Sequence, residues 1–184
     1  LVSSASDDGL VSVWDQRLGL RPEAHVGSFV GHRAGITSVD SRGDERYLVS
    51  NGKDQVCKVW DLRRCQASLR QARDDSGRIS QNYDYRWAEY RQGLHNRGGG
   101  FDQRSGSDLS VYSLTGHSVR GTLIRSAFSP LFSTAGRYIY SGCASGSLVI
   151  WDLLQGGKMV VTKPVHQAAL RDVSWHPTQP MMAT

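Results

Sequence analysis

Serine, histidine and aspartate are the residue types in this sequence with the most chemical potential, and one set of them precedes a tryptophan. The set consists of His32, Ser50, Asp54 and Trp60. Serine, histidine and aspartate together can form a hydrolase triad, in which the histidine activates the serine. They can also form a buried network, in which the indole N–H donates to the serine and the imidazole links the hydroxyl to the carboxylate.

Repetition of this pattern separates the two interpretations. Further copies comprise Ser4, Asp8 and Trp14 on one side and His117, Ser141 and Trp151 on the other, with Ser145 where an aspartate is expected. An enzyme needs its nucleophile once, whereas a structural network is needed in every repeat. The chain also lacks Gly-x-Ser-x-Gly, P-loop and His-Glu-x-x-His motifs. We therefore predict a structural network, no catalytic residues and no enzymatic activity.

The elements that position these residues are short strands in a repeated arrangement. Trp-Asp pairs occur at 14–15, 60–61 and 151–152, and Gly-His precedes the second pair at 31–32. These pairs are the signature of a WD repeat, whose period is about 40–45 residues. Alternating apolar runs around clusters of turn residues predict hairpins. The prediction is an all-β fold: a partial WD-repeat β-propeller with two full blades and partial blades at both ends.

The chain is expected to be part of a longer protein. It begins at Leu1 rather than Met, within a predicted strand. Propellers usually close with about 4–8 blades, which is more than this chain supplies.

Residues 65–107 interrupt the repeat. They are rich in arginine and glycine and contain neither Gly-His nor Trp-Asp. We predict a long inserted loop, partly disordered, between propeller parts at 1–64 and 108–184, with about two helical turns at 65–73 and flexibility at 93–107. A local aromatic cluster either docks the loop or binds a partner: Tyr83, Tyr85, Trp87 and Tyr90.

Composition excludes several classes of protein. The 39% apolar and 21% charged residues are typical of a globular domain. No apolar run approaches the length of about 18 residues needed to cross a bilayer, and no signal peptide opens the chain. Three cysteines without a Cys-x-x-Cys motif argue against a disulfide framework or a zinc site and favour a reducing compartment. We expect no cofactor, no metal, and a location in nucleus and cytoplasm. The net charge of +5 fits an acidic partner, nucleic acid, or simply a basic surface.

An arginine follows two of the Trp-Asp pairs. The two boxes are Trp14-Asp15-Gln16-Arg17 and Trp60-Asp61-Leu62-Arg63. We expect Arg17 and Arg63 on one rim of the disc, where a planar guanidinium can bind carbonyls or carboxylates of a partner. Alternatively, both are solvated charges that pair with Asp15 and Asp61. Leu154 stands where a third arginine would be.

The boxes resemble the adaptor-docking motif of WD-repeat substrate receptors of cullin-4 RING ubiquitin ligases. Further matching segments lie at 35–37, 46–51, 83–87, 122–125, 138–143 and 171–177. The resemblance implies a non-catalytic subunit that docks a DDB1-type adaptor through both boxes and presents target proteins for ubiquitination. Without a long apolar run we expect no membrane partner, and we favour a basic surface over nucleic-acid binding. The alternatives are a WD scaffold of another complex, or an RNA- or chromatin-binding propeller that uses the arginine-rich loop.

Overall fold

A computed structural model of the chain describes residues 1–19, 21–79 and 108–184. Its strands form antiparallel sheets in chain order, as alternating β-branched residues and intervening turns predict. The predicted aromatic cluster and the segment 93–107 lie outside the described residues.

The chain forms a three-stranded sheet first and a four-stranded sheet next. The first sheet contains β1 (Val2–Ala5), β2 (Val11–Trp14) and β3 (His25–Phe29). The second contains β4 (Ile36–Ser41), β5 (Tyr47–Gly52), β6 (Cys57–Asp61) and β7 (Tyr112–Leu114). Because β7 follows the insertion, the second sheet is completed only after the chain has left it and returned.

The third sheet has four strands, and two further strands follow it. It contains β8 (Ser126–Phe128), β9 (Tyr138–Ser141), β10 (Ser147–Asp152) and β11 (Lys158–Pro164). Helix α2 (Leu131–Thr134) connects β8 to β9, and β12 (Ser174–Trp175) pairs with β13 (Met182–Ala183). The predicted partial propeller, with two four-stranded blades between partial ones, is confirmed.

The core lies between the sheets, since alternate residues of a strand point to opposite faces. In β5, Leu48 packs towards the first sheet with Trp60, whereas Val49 packs towards the third sheet with Trp151. In β10, Leu148 faces the cluster formed with the next strands of the chain. The second and third sheets are therefore buried on both faces, which fixes the register of their strands.

Corresponding ends of the three sheets lie on the same side of the molecule. The first hairpin contacts the start of the second sheet, because the Ile36 N–H donates to the Ser6 carbonyl at 3.1 Å. At the other end, Arg42 of the second sheet donates to the Ala135 carbonyl of the third sheet at 2.7 Å. The ends that carry Asp15, Asp61 and Asp152 thus share one side of the molecule, which we call the WD edge.

The start of the insertion packs against the first sheet. Helix α1 (Leu69–Ile79) begins later and runs further than the predicted turns at 65–73. Ala72 is buried with Leu10 and Val30, and the Ser76 hydroxyl donates to the Asp8 carbonyl at 2.6 Å. Helix α1, which follows β6 of the second sheet, therefore packs back onto the first sheet.

A candidate protein-docking surface on the WD edge

The structure brings the first predicted set together as a continuous buried network. Trp60 Nε1 donates to Ser50 Oγ at 2.8 Å, and Ser50 Oγ lies 2.8 Å from His32 Nε2. The other ring nitrogen, Nδ1, lies 3.1 Å from the Asp54 carboxylate. All four side chains are buried, so a substrate cannot reach this serine and the set is structural.

Asp54 has an environment that stabilises its charge. Burial alone would raise the pKa of Asp54, but the His32 ring and the backbone N–H of Arg33 outweigh it and lower the pKa below its ordinary value. An ionised carboxylate can only accept hydrogen bonds, so Nδ1 of His32 donates to Asp54. Every polar member of the network has a partner, which is the condition under which such a network stabilises a fold.

The first blade contains a shorter form of the network. Trp14 Nε1 donates to Ser4 Oγ at 2.9 Å, as Trp60 does to Ser50. Asp8 accepts from the backbone N–H of Leu10 in the hairpin turn at 3.1 Å.

The third blade departs from the predicted network. Trp151 Nε1 donates to the Thr115 carbonyl at 2.9 Å and not to Ser141, whose hydroxyl donates instead to the Arg125 carbonyl at 3.2 Å. His117 Nε2 lies 2.7 Å from Asn51 Oδ1 of the neighbouring blade. Ser145, at the position of Asp54, supplies no carboxylate for this histidine, and its hydroxyl donates to Ser147 instead.

His117 is consequently a buried histidine with an unsatisfied nitrogen. Within the described part of the chain, its Nδ1 has no hydrogen-bond partner. Burial lowers the pKa of His117 to about 4, which keeps the ring neutral at physiological pH.

This histidine predicts a pH dependence of stability. The folded pKa of His117 lies below the unfolded value of about 6.5, so the unfolded chain takes up the proton first. The free energy of unfolding of the full-length protein should therefore fall as the pH drops from about 6.5 to 4. Urea unfolding at several pH values should show a shallower fall for His117→Gln than for the parent protein. Parallel pH profiles for the two proteins would contradict this assignment.

Three short helical turns on the WD edge have the same backbone geometry. Each directly follows the aspartate of a Trp-Asp pair, which caps it. The three turns span Gln16–Leu18, Leu62–Arg64 and Leu153–Gln155. In each, the aspartate accepts from the backbone N–H two residues later, at Arg17 (3.0 Å), Arg63 (3.0 Å) and Leu154 (2.9 Å). The aspartate thus fixes the backbone position of Arg17, Arg63 or Leu154.

In the first two turns this aspartate also holds the arginine side chain. Arg17 donates to the Asp15 carboxylate through Nε at 3.0 Å and Nη2 at 2.7 Å. Arg63 donates to Asp61 through Nε at 3.1 Å and Nη2 at 2.7 Å. Both guanidinium groups nevertheless face solvent, with side chains 89% and 67% exposed. The Nη1–Nη2 edge of each therefore remains available to a partner.

The ion pairs extend the range in which the two aspartates stay charged to lower pH. The hydrogen bond from the Arg17 side chain lowers the pKa of Asp15 to about 2. The corresponding bond from Arg63 lowers the pKa of Asp61 well below its usual value. Each box is a preformed guanidinium–carboxylate fork, in which the arginine pairs with the aspartate as the second alternative predicts.

Two further arginines on the WD edge were missed by sequence reasoning. Arg46 lies 3.4 Å from the Asp61 carboxylate, and Arg137 donates to Asp152 through Nε at 2.9 Å. Each immediately precedes a tyrosine that begins a strand, Tyr47 in β5 and Tyr138 in β9. Strand pairing places these tyrosines opposite Asp61 and Asp152. This shared Arg-Tyr step could have revealed them. In the third blade, Arg137 neutralises the aspartate, while Leu154 is exposed.

Other types of site receive no support from the described residues. In the described ranges, no group of three or more histidine, cysteine, aspartate or glutamate side chains could hold a metal ion. Cys57, Cys65 and Cys143 are free thiols. The helices that the structure describes include none that is long and apolar enough to span a membrane.

Comparison with known proteins identifies the repeats. The family described as WD domain, G-beta repeat matches residues 23–61 and 109–152. A protein named DDB1- and CUL4-associated factor 11 homolog from Caenorhabditis elegans is 47% identical over 180 residues, covering 97% of this chain and 30% of the relative. The LEC14B protein of Lithospermum erythrorhizon is 43% identical over 187 residues, covering 100% of this chain and 37% of that protein.

Solved structures show the same fold. A chain of the mitotic checkpoint complex superposes with a TM-score of 0.59 at 17% identity, covering 97% of this chain and 39% of that chain. At this identity the likeness concerns the fold alone. The chain spans about a third of the length of the curated relatives it matches.

Proposed function

Because the chain carries WD40 repeats, we propose that it is part of a non-catalytic substrate receptor that docks the adaptor DDB1 through Arg17 and Arg63. Two matching Asp–Arg forks in neighbouring blades, both exposed on the WD edge, are the observation on which this proposal rests. In this role, the protein presents target proteins to a cullin-4 RING ubiquitin ligase.

The forks are suited to docking because they are preorganised. Each arginine is already held in one rotamer by its aspartate, which reduces the conformational entropy lost when a partner binds. The exposed guanidinium edge can donate two parallel hydrogen bonds to a carboxylate, or bonds to backbone carbonyls. We therefore expect DDB1 to present oxygen acceptors opposite both arginines.

The relative's name supports the choice of partner. The Caenorhabditis elegans protein is named for association with DDB1 and CUL4, and the resemblance of the two boxes to the docking motif leads to the same partner. A receptor of this kind acts by proximity, because tethering raises the effective concentration of the target at the ligase. We propose nucleus and cytoplasm as its location. The nucleic-acid alternative relies on the insertion 65–107, of which the structure describes only residues 65–79.

Hydrogen–deuterium exchange of the full-length protein, with and without purified DDB1, tests this proposal. We expect slower exchange in the helical turns Gln16–Leu18 and Leu62–Arg64 when DDB1 is bound, because their backbone becomes covered. The hairpin turn at 52–56, on the opposite edge of the second blade, should exchange at an unchanged rate. Protection of 52–56 alone, or the absence of a complex with DDB1, would overturn the proposal.

A further inference from the structure

The third blade presents an apolar residue at the position of the docking arginines. The turn Leu153–Gln155 has the same aspartate cap as the two arginine turns, yet its second residue, Leu154, is 77% exposed. Asp152 pairs with Arg137, so no free charge remains in this turn to compensate for the missing arginine. The WD edge thus presents an exposed arginine on two blades and an exposed leucine on the third.

A second apolar group lies beside this turn. Helix α2 exposes Phe132 (84%) and, to a lesser extent, Leu131 (42%). Two backbone hydrogen bonds connect the helix to the turn, from the Arg137 N–H to the Thr134 carbonyl and from the Leu153 N–H to the Arg137 carbonyl, both at 3.1 Å. We call Leu131, Phe132 and Leu154 the apolar patch.

The apolar patch is held in place and is continuous with the second blade. The Thr134 hydroxyl donates to the Pro130 carbonyl at 2.8 Å, which closes the helical turn. Arg42, from the turn that precedes β5, donates to the Ala135 carbonyl directly after the helix. The apolar patch thus adjoins the second blade, which carries Arg63.

Two arginine side chains are too small to form the whole interface. A stable protein–protein interface buries about 800 Å² on each partner, and its centre is usually more apolar than its rim. Exposed clusters of large apolar side chains on a water-facing surface commonly mark binding sites. The apolar patch supplies apolar area on the blade that adjoins the blade of Arg63.

We propose that the apolar patch is part of the DDB1 interface and packs against an apolar surface of the adaptor, next to the acceptors that bind Arg17 and Arg63. This inference rests on the proposed function. The partner surface is thereby defined as polar opposite the first two blades and apolar opposite the third.

Affinity measurements with full-length protein and purified DDB1 test this inference. The variant Phe132→Ser with Leu154→Ser should weaken binding at least about 10-fold, since both apolar contacts are lost. The variant Phe132→Leu with Leu154→Met, which keeps apolar side chains, should bind within about 2-fold of the parent protein. Leu123→Ser is the matched control, because Leu123 is exposed on the same blade at the opposite edge.

Four outcomes separate this inference from the proposed function. Weaker binding of the serine variant alone supports the inference. Unchanged binding of the serine variant, while Arg17→Ala with Arg63→Ala abolishes binding, overturns the inference and leaves the function standing. Failure of the parent protein to bind DDB1 overturns both. A self-association that the serine variant disrupts, with unchanged DDB1 affinity in light-scattering and binding assays, assigns the patch to a second copy and also overturns the inference.

Discussion

Replacing Trp60 by alanine should lower the free energy of unfolding of the full-length protein by about 3–5 kcal/mol, as measured by urea denaturation. Trp60 is fully buried between the first two sheets and packs against Phe29 at a ring-centroid distance of 5.3 Å. The substitution leaves a cavity that the neighbouring strands cannot fill without losing register. It also removes the N–H donor to Ser50.

Trp60→Phe separates packing from hydrogen bonding. Phenylalanine retains most of the buried apolar volume, and Ser50 keeps its bond to His32, so the expected loss is smaller than for alanine. A loss below about 1 kcal/mol for Trp60→Ala would mean that this indole does not fix the packing of the two blades.

The hairpins and the network of the second blade follow directly from the sequence because their geometry is local. Antiparallel pairing of β5 with β6 brings Ser50 close to Trp60, so a fixed spacing along the chain becomes a fixed distance in space. The turn after Gly52 then carries Asp54 towards His32. Repeating residue types at these spacings therefore predict both the strands and their hydrogen bonds.

Contacts between blades could not be predicted in this way. The bond from His117 to Asn51 joins two different sheets, and its formation depends on how those sheets pack and twist. The same is true of Arg42, which reaches the Ala135 carbonyl across a blade boundary. Spacing along the chain carries no information on such contacts.

The extent of helix α1 was also beyond sequence reasoning. Its contacts with the first sheet are made by the small residues Ala72 and Ser76, so no apolar stripe of large side chains marks the helix. Tertiary packing against Leu10 and Val30, rather than sequence pattern, fixes where it lies.

Removing both docking arginines should have the largest effect on binding. Arg17→Ala with Arg63→Ala in the full-length protein is expected to weaken DDB1 binding at least about 100-fold, because buried interface arginines are frequent hot spots. Thermal stability should remain within experimental error, since both guanidinium groups are exposed and exposed ion pairs contribute little. Asp61 would still accept from Arg46 and from the backbone of the turn.

A matched control separates specific docking from net charge. The variant Arg78→Ala with Arg125→Ala also removes two positive charges. Both of these arginines are exposed and pair with aspartates, as Arg17 and Arg63 do. Lysine at positions 17 and 63 keeps the charge but loses the planar fork, so it should bind more weakly than the parent protein.

Isothermal titration calorimetry of full-length protein with purified DDB1 is the most direct test of docking through the two forks. We expect the parent protein and the Arg78/Arg125 control to bind DDB1 alike, whereas the Arg17/Arg63 variant shows no measurable heat of binding. Equal affinities for all three proteins would contradict docking through the two forks.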